Sequence, residues 1–401
     1  MSRSAAILLP FLPLLAVSPL GAQVARVPPP EVLEAIVDEE PAPLPRGLAP
    51  GESVPDARGP LEIHAAPAGE IYTPPEYARS RGLLISWEAF TSVLTAMTVA
   101  VTTGDPDAKV WVVVDSVSER TSATSILTSA GADMSRVEFL VIPTDSVWVR
   151  DYGPRFIEVD KQAASVDHEY NRPRPLDDAL PNAVAAAWGH TDYDIPLVHG
   201  GGNFHLFGDG RAFMTELVLT ENSGLSAAQI QQLFADYENL DVTIWPGFPT
   251  SYDSTRHLDM WLLPVRDRVA IVGEYDASEG SGVPRQITED AVDDLEALGY
   301  TVFRTPGWRD FGVHYTYTNA VVLNKLVLVP QYSDYPVENA LALATYAAAF
   351  PGYQIVPIDS DAVVSSAGVL HCIVMHVPDP SFLSWHDFET GDTSTWTAAF
   401  P

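Results

Sequence analysis

The chain has 401 residues, with 22 Lys and Arg against 53 Asp and Glu and a formal net charge of −31. A field of that sign repels phosphate, which excludes an ordinary nucleic-acid binder. Apolar residues make up 46% and charged residues 19%, enough apolar mass for a large core and too little charge density for a disordered chain.

Arg3, the apolar run Ala5–Val17 and the small residues up to Ala22 read as an export signal over 1–22, so the mature protein is expected outside the cytoplasm. Pro10 and Pro13 interrupt that run, and no later stretch is long and apolar enough to span a bilayer. A single cysteine, Cys372, rules out an internal disulfide. Residues 23–71 are rich in Pro, Ala and Glu and read as a tether or pro-segment. Beyond them the apolar β-branched runs Val110–Val114, Val137–Ile142, Val269–Val272 and Leu326–Val329 predict strands buried on both faces. Apolar spacings of three and four predict helices over Leu225–Tyr237, Ile287–Leu298 and Val337–Phe350. Strands recurring with helices between them indicate an α/β domain over 72–380, followed by a polar, Thr-rich tail over 381–401.

Four segments carry chemistry-bearing residues. Thr144–Pro154 (TDSVWVRDYGP) follows a strand and places two carboxylates, an Arg and aromatics at its end, though a capped turn with an Asp145–Arg150 surface pair reads equally well. His199–Phe204 (HGGGNF) lets the backbone approach a ligand closely; it lacks the Gly-Lys-Ser/Thr of a phosphate loop, and a plain turn between strands would look the same. Arg256–Trp261 (RHLDMW), read as entering a strand, would put His257 and Asp259 on one face by alternation, or else form a half-buried strand edge. Gly368–His376 places Cys372 in an apolar run read as a strand, where a structural cysteine is common.

In their order and content the four segments resemble the guanidino-group-modifying enzymes, specifically the branch of the bacterial, Porphyromonas-type peptidylarginine deiminases and the agmatine deiminases. The resemblance runs from Tyr72 to Pro378 through Asp-x-x-Trp-x-Arg-Asp-x-Gly-Pro, Gly-Gly-Asn, His-x-Asp and His-Cys, with further matches at Tyr170–Pro175 (YNRPRP) and Tyr317–Ala320 (YTNA). It implies an α/β fold, a five-bladed propeller (the pentein fold) of pseudo-repeated ββαβ units with the site in a central funnel. It further implies Cys372 as nucleophile, His257 as general acid and base, and Asp151 and Asp259 holding the guanidinium. Trp148, Arg172, Arg174, Asn203 and Asn319 would bind substrate. No metal or organic cofactor is expected, because every group the cycle needs is a side chain.

The resemblance to the bacterial peptidylarginine deiminases, whose Tyr-Asn-Arg-Pro-Arg-Pro loop supplies two arginines to the α-carboxylate of a C-terminal arginine, implies that role for Arg172 and Arg174 and a C-terminal peptidylarginine as substrate, converted to citrulline and ammonia; two cations on a Pro-stiffened loop suit such an anion. The alternative is agmatine, which has no carboxylate and would yield N-carbamoylputrescine. A catalytically silent secreted binding protein on the same fold is the third reading. The expected partner is thus an arginine-containing peptide or a small guanidino compound, with no nucleic acid and no membrane span. Two features depart from the pattern: Arg256 is a cation beside a cation site, and Cys372 is followed by the apolar Ile-Val-Met.

Overall fold

The computed structural model describes residues 23–36, 43–53 and 65–379. The expected export signal and polar tail lie outside the described residues. Among the described residues, eighteen strands fall into five sheets of three or four strands, giving a mixed α/β fold. In each sheet an antiparallel pair is extended by a parallel strand that returns across a helix. Leu262–Arg266 pairs antiparallel with Val269–Glu274, which pairs in parallel with Thr301–Asp310 after the helix Val283–Ala297. Val321–Leu323, Leu326–Gln331 and Gln354–Asp359 repeat that order around the helix Pro336–Ala349. Arg155–Val159, Gln162–Tyr170 and Thr191–His199 do so around Leu180–Trp188, and His205–Leu206, Arg211–Thr215 and Asp241–Trp245 around Ala227–Glu238. In the remaining sheet the antiparallel partner of Ser80–Ser86 is Met375–Pro378, from the far end of the domain.

Local sequence explains why the crossover helices start where they do. Ser226 and Gln229 form a reciprocal capping box at the head of Ala227–Glu238, and Pro284 and Pro336 occupy first-turn positions where a missing N–H costs nothing. Val110–Val114 and Leu326–Pro330 are buried throughout, as continuous apolar strands flanked by helices should be. Val137–Val141 departs from expectation: it lies at the sheet edge beyond Lys109–Val114 and none of its residues is fully buried. An apolar run alone does not distinguish a central strand from an edge strand.

Five connections carry the chain from one sheet to the next, and each contributes to a single buried cluster. They contain Val149–Tyr152, Gly201–Asn203, Leu258–Met260, Tyr317–Asn319 and His371–Ile373.

Candidate active site

Two of the predicted site segments take a different local form. His257 and Asp259 do not alternate along a strand: His257 is extended and Leu258–Met260 is a 3-10 turn, with the strand beginning at Leu262. Cys372 likewise sits in the 3-10 turn His371–Ile373, three residues before the strand Met375–Pro378. Three-residue turns have no periodicity that a sequence can display, and their apolar residues merge with the strands that follow. Asp151 lies in a helical turn, Val149–Tyr152, that Gly153 and Pro154 terminate.

The turns bring Asp151, His257, Asp259 and Cys372 together around a guanidinium, and that guanidinium belongs to the chain itself. Arg46, from the segment read as a tether, is wholly buried there. Its Nε and Nη2 donate to the two oxygens of Asp151 at 2.8 and 2.9 Å, and its Nη1 and Nη2 donate to those of Asp259 at 3.1 and 2.9 Å. Nη2 also donates to Nδ1 of His257 at 2.7 Å, and Nη1 lies 2.6 Å from Sγ of Cys372. The glycine run makes the room: a Cβ on Gly202 would fall 1.7 Å from Nη2 of Arg46, and its N–H donates to Asp151. A Cβ on Gly368 would meet Trp148, Sγ of Cys372 and Cδ of Arg46. Sequence reasoning missed Arg46; the one signal available was an arginine isolated between Leu-Pro and Gly-Leu in an acidic, Pro-rich stretch.

The remaining predicted residues divide into two groups. Trp148, Arg172 and Arg174 touch the main chain around Arg46. Trp148 Nε1 donates to the Leu44 carbonyl at 2.8 Å, Arg172 Nε to that of Arg46 at 3.1 Å, and Arg174 Nη2 to those of Pro45 and Gly47 at 2.8 and 3.1 Å. Arg174 also pairs with Glu52. Asn203 and Asn319, expected to bind substrate, make no such contact. Asn203 exchanges two hydrogen bonds with the backbone of Thr215. Asn319 Oδ1 accepts from the N–H groups of Val369, His371 and Cys372 and faces Sγ at 3.2 Å, so it shapes the nucleophile turn. Arg256, in left-handed backbone at φ 58°, directs its guanidinium to Glu216 and the Phe248 carbonyl, which removes it from the cation pocket.

Behind the carboxylates lies a layer the sequence did not disclose. His371 Nδ1 meets Asp259 at 2.9 Å and its Nε2 meets Glu76 at 2.8 Å; Glu76 in turn pairs with Arg150, which also bonds His376. His371 lay within a segment singled out for its cysteine, whereas Glu76 had no motif around it. Glu76, His205 and His371 offer ligand atoms within 4.8 Å of one another, but both ring nitrogens of His371 are already taken by carboxylates.

Charge governs the cluster. Burial alone would raise the Asp151 carboxyl, yet Arg46, with His257, holds it well below the usual carboxylate range. Asp259 is depressed by Arg46 and His371 against the same burial. Burial pushes the Cys372 thiol well up; the Arg46 cation opposes this, and the neighbouring Asp259 and Asp151 reinforce it. A guanidinium is therefore the group that favours thiolate at this position.

The Porphyromonas-type peptidyl-arginine deiminase family matches residues 73–378. A Legionella pneumophila (strain Paris) protein named "Putative agmatine deiminase" is 27% identical over 263 residues, covering 60% of this chain and 75% of its own. Among solved structures, the C. jejuni agmatine deiminase with substrate bound superposes with a TM-score of 0.67 at 19% identity, over 77% of this chain and 97% of that one. The structure of a Porphyromonas gingivalis protein named "Putative Arginine Deiminase" gives 0.68 at 20% identity, over 78% and 99%. These likenesses establish the fold, and the family match over most of the chain establishes the chemistry class, hydrolysis of the C–N bond of a guanidino group. The chain belongs to the Porphyromonas-type peptidyl-arginine deiminase family.

Proposed function

We propose that the protein converts arginine carried in a peptide to citrulline, releasing ammonia. The observation that supports this reading is the way the site treats Arg46: the guanidinium is gripped by two carboxylates while Trp148, Arg172 and Arg174 hold the carbonyls of Leu44, Pro45, Arg46 and Gly47. Agmatine has none of those carbonyls. The reading differs in one respect from a site built for C-terminal arginine, because the chain runs on through Gly47 and Arg172 meets a carbonyl in place of a carboxylate. An arginine with residues on both sides therefore fits.

The chemistry follows from the contacts. Asp151 and Asp259 fix the guanidinium plane by paired charge-assisted hydrogen bonds. Sγ of Cys372, having given up its proton, adds to Cζ, and His257 donates a proton to Nη2, the nitrogen that stands against Nδ1 of its ring. Nη2 leaves as ammonia, and an S-alkylthiouronium remains on Cys372. Water then adds at Cζ as His257 takes its proton, the C–S bond breaks, and the thiol is restored with citrulline as product. Because the guanidinium supplies the positive charge nearest the sulfur, substrate binding itself favours the nucleophilic form.

The same reading places the five sheets as blades of a propeller around this cluster. Its support is that five sheet-to-sheet connections converge on one site and that Met375–Pro378 pairs with Ser80–Ser86.

Agmatine is the second reading, favoured by the name of the Legionella relative. A citrulline-type assay on agmatine, free arginine, a peptide ending in arginine and an acetylated, amidated peptide with internal arginine separates the two. Loss of one buried charge-assisted contact, about 1.5–3 kcal/mol, should lower kcat/KM on the peptides by roughly 10- to 150-fold in Arg172→Ala or Arg174→Ala. Turnover of agmatine equal to or better than that of the peptides, and indifferent to both substitutions, would move the protein to the agmatine side.

A further inference from the structure

We infer that Arg46 is a substrate of its own active site: the enzyme deiminates Arg46 in cis, and the citrulline formed there releases the segment that fills the pocket. The inference rests on the peptidyl-arginine reading above and adds a modification site to it.

A segment that merely plugged the pocket would need charge and shape. This one also brings the carboxylates, the imidazole and the sulfur of the site to one guanidinium. Both carboxylates are engaged, Nδ1 of His257 stands 2.7 Å from Nη2, and Sγ of Cys372 stands 2.6 Å from Nη1 of the same guanidinium. The main chain is fixed independently: Arg46 N–H donates to the Ser366 carbonyl at 3.1 Å, and Trp148, Arg172 and Arg174 hold the carbonyls on either side. Glu52 closes the arrangement by pairing with Arg174. The reacting groups are thus already adjacent and need no encounter between molecules.

The reaction balances as for an external substrate. One water is consumed, the Cζ–Nη2 bond is exchanged for a Cζ–O bond by way of a Cζ–Sγ bond, and ammonia leaves as ammonium. No oxidant or further reactant is needed. The consequence for binding follows from the atoms exchanged. Nη2 is a donor to Asp151 and Asp259, each at 2.9 Å. After hydrolysis an acceptor oxygen stands at that position, facing two carboxylates, and the side chain has lost its positive charge. Two attractive contacts become acceptor-against-acceptor contacts in a buried site, so the product segment no longer belongs in the pocket.

The test is peptide mapping by mass spectrometry of the full chain purified as wild type and as Cys372→Ala. Citrulline at position 46 is expected in the wild type and arginine in the variant. The residue 43–53 segment should be cleaved by a protease about tenfold faster or more in the wild type, since loss of even one charged contact of this kind is worth a factor of that size. When the two proteins are mixed, the Cys372→Ala chain should keep Arg46 intact, because its own pocket shelters it; conversion at a rate set by the wild-type concentration would overturn the intramolecular claim. On the same wild-type sample, turnover of an acetylated, amidated arginine peptide together with unmodified Arg46 would overturn this inference and leave the peptidyl-arginine reading standing. Absence of turnover on every arginine peptide, with Arg46 unmodified, would remove both.

Discussion

Replacing Gly202 by Ala puts a methyl group where a guanidinium nitrogen sits. The added Cβ would lie 1.7 Å from Nη2 of Arg46, 2.7 Å from Oδ1 of Asp151 and 2.9 Å from Oδ2 of Asp259. Only the first of these contacts is impossible to relieve while the pocket is occupied; the other two involve carboxylate ends that can shift by tenths of an ångström. The substitution should therefore exclude the guanidinium and leave the scaffold in place. Nη2 makes one charge-assisted hydrogen bond to each carboxylate, so at about 1.5–3 kcal/mol apiece the loss is about 3–6 kcal/mol, or roughly 10²- to 10⁴-fold in kcat/KM. Gly201 supplies the contrast within the same motif, since its Cβ would come 2.3 Å from the backbone carbonyl oxygen of Arg150, which cannot move without the turn Val149–Tyr152. Gly201→Ala should lower stability by about 1–3 kcal/mol or prevent folding. Steady-state kinetics and thermal melts on both variants decide the matter. If Gly202→Ala folds like the wild type and keeps kcat/KM within about threefold, the space beside Gly202 is not where the substrate guanidinium goes.

Cys372→Ser should abolish turnover with little change in melting temperature, because a hydroxyl is almost never ionised near neutral pH; His257→Ala should cost on the order of 10²–10⁴-fold in kcat. Asn319→Ala should lower kcat with KM little changed and slow the alkylation of Cys372 by a haloacetamidine; unchanged alkylation would mean that Asn319 does not position the thiol. Burial raises the Asp177 carboxyl from 3.8 to about 7, against hydrogen bonds from Ser146 and from the backbone of Asp145. A folded-state value above the unfolded one makes the protonated form the stabilising one, so this contribution is full below about pH 4 and is lost as pH rises toward 7. Asp177→Asn should match the wild type near pH 4 and become progressively more stable than it up to pH 7, by at most about 4 kcal/mol, in denaturant titrations; a pH-independent difference would refute the assignment.

Where the sequence was legible, the reason was repetition of one residue class along an element. Continuous Val- and Leu-rich runs marked Lys109–Val114 and Leu326–Gln331, and three-four spacing marked Ala227–Glu238 and Pro336–Ala349. The polar residues of the site were legible as types in an order, which a family resemblance could interpret and local patterning could not. For Asn203 and Asn319 the motif gave the place and not the contacts: both are buried beside the site, and both bond backbone that shapes it. Arg46 was out of reach because its partners stand 105, 213 and 326 residues away at Asp151, Asp259 and Cys372. No local property of Leu-Pro-Arg-Gly-Leu encodes those contacts.

The pairing of Met375–Pro378 with Ser80–Ser86 joins the last described strand to the first strand of its sheet, register Met375 to Leu84. Cys372 stands three residues before that last strand. During synthesis the segment that carries Arg46 emerges first, the two carboxylates and His257 follow, and the sulfur arrives only when some three hundred residues of scaffold already exist. Until that last strand has been made, a nascent chain holds the cation pocket's components without its reactive atom. The enzyme is thereby silent toward every arginine around it, its own included, until the domain is whole.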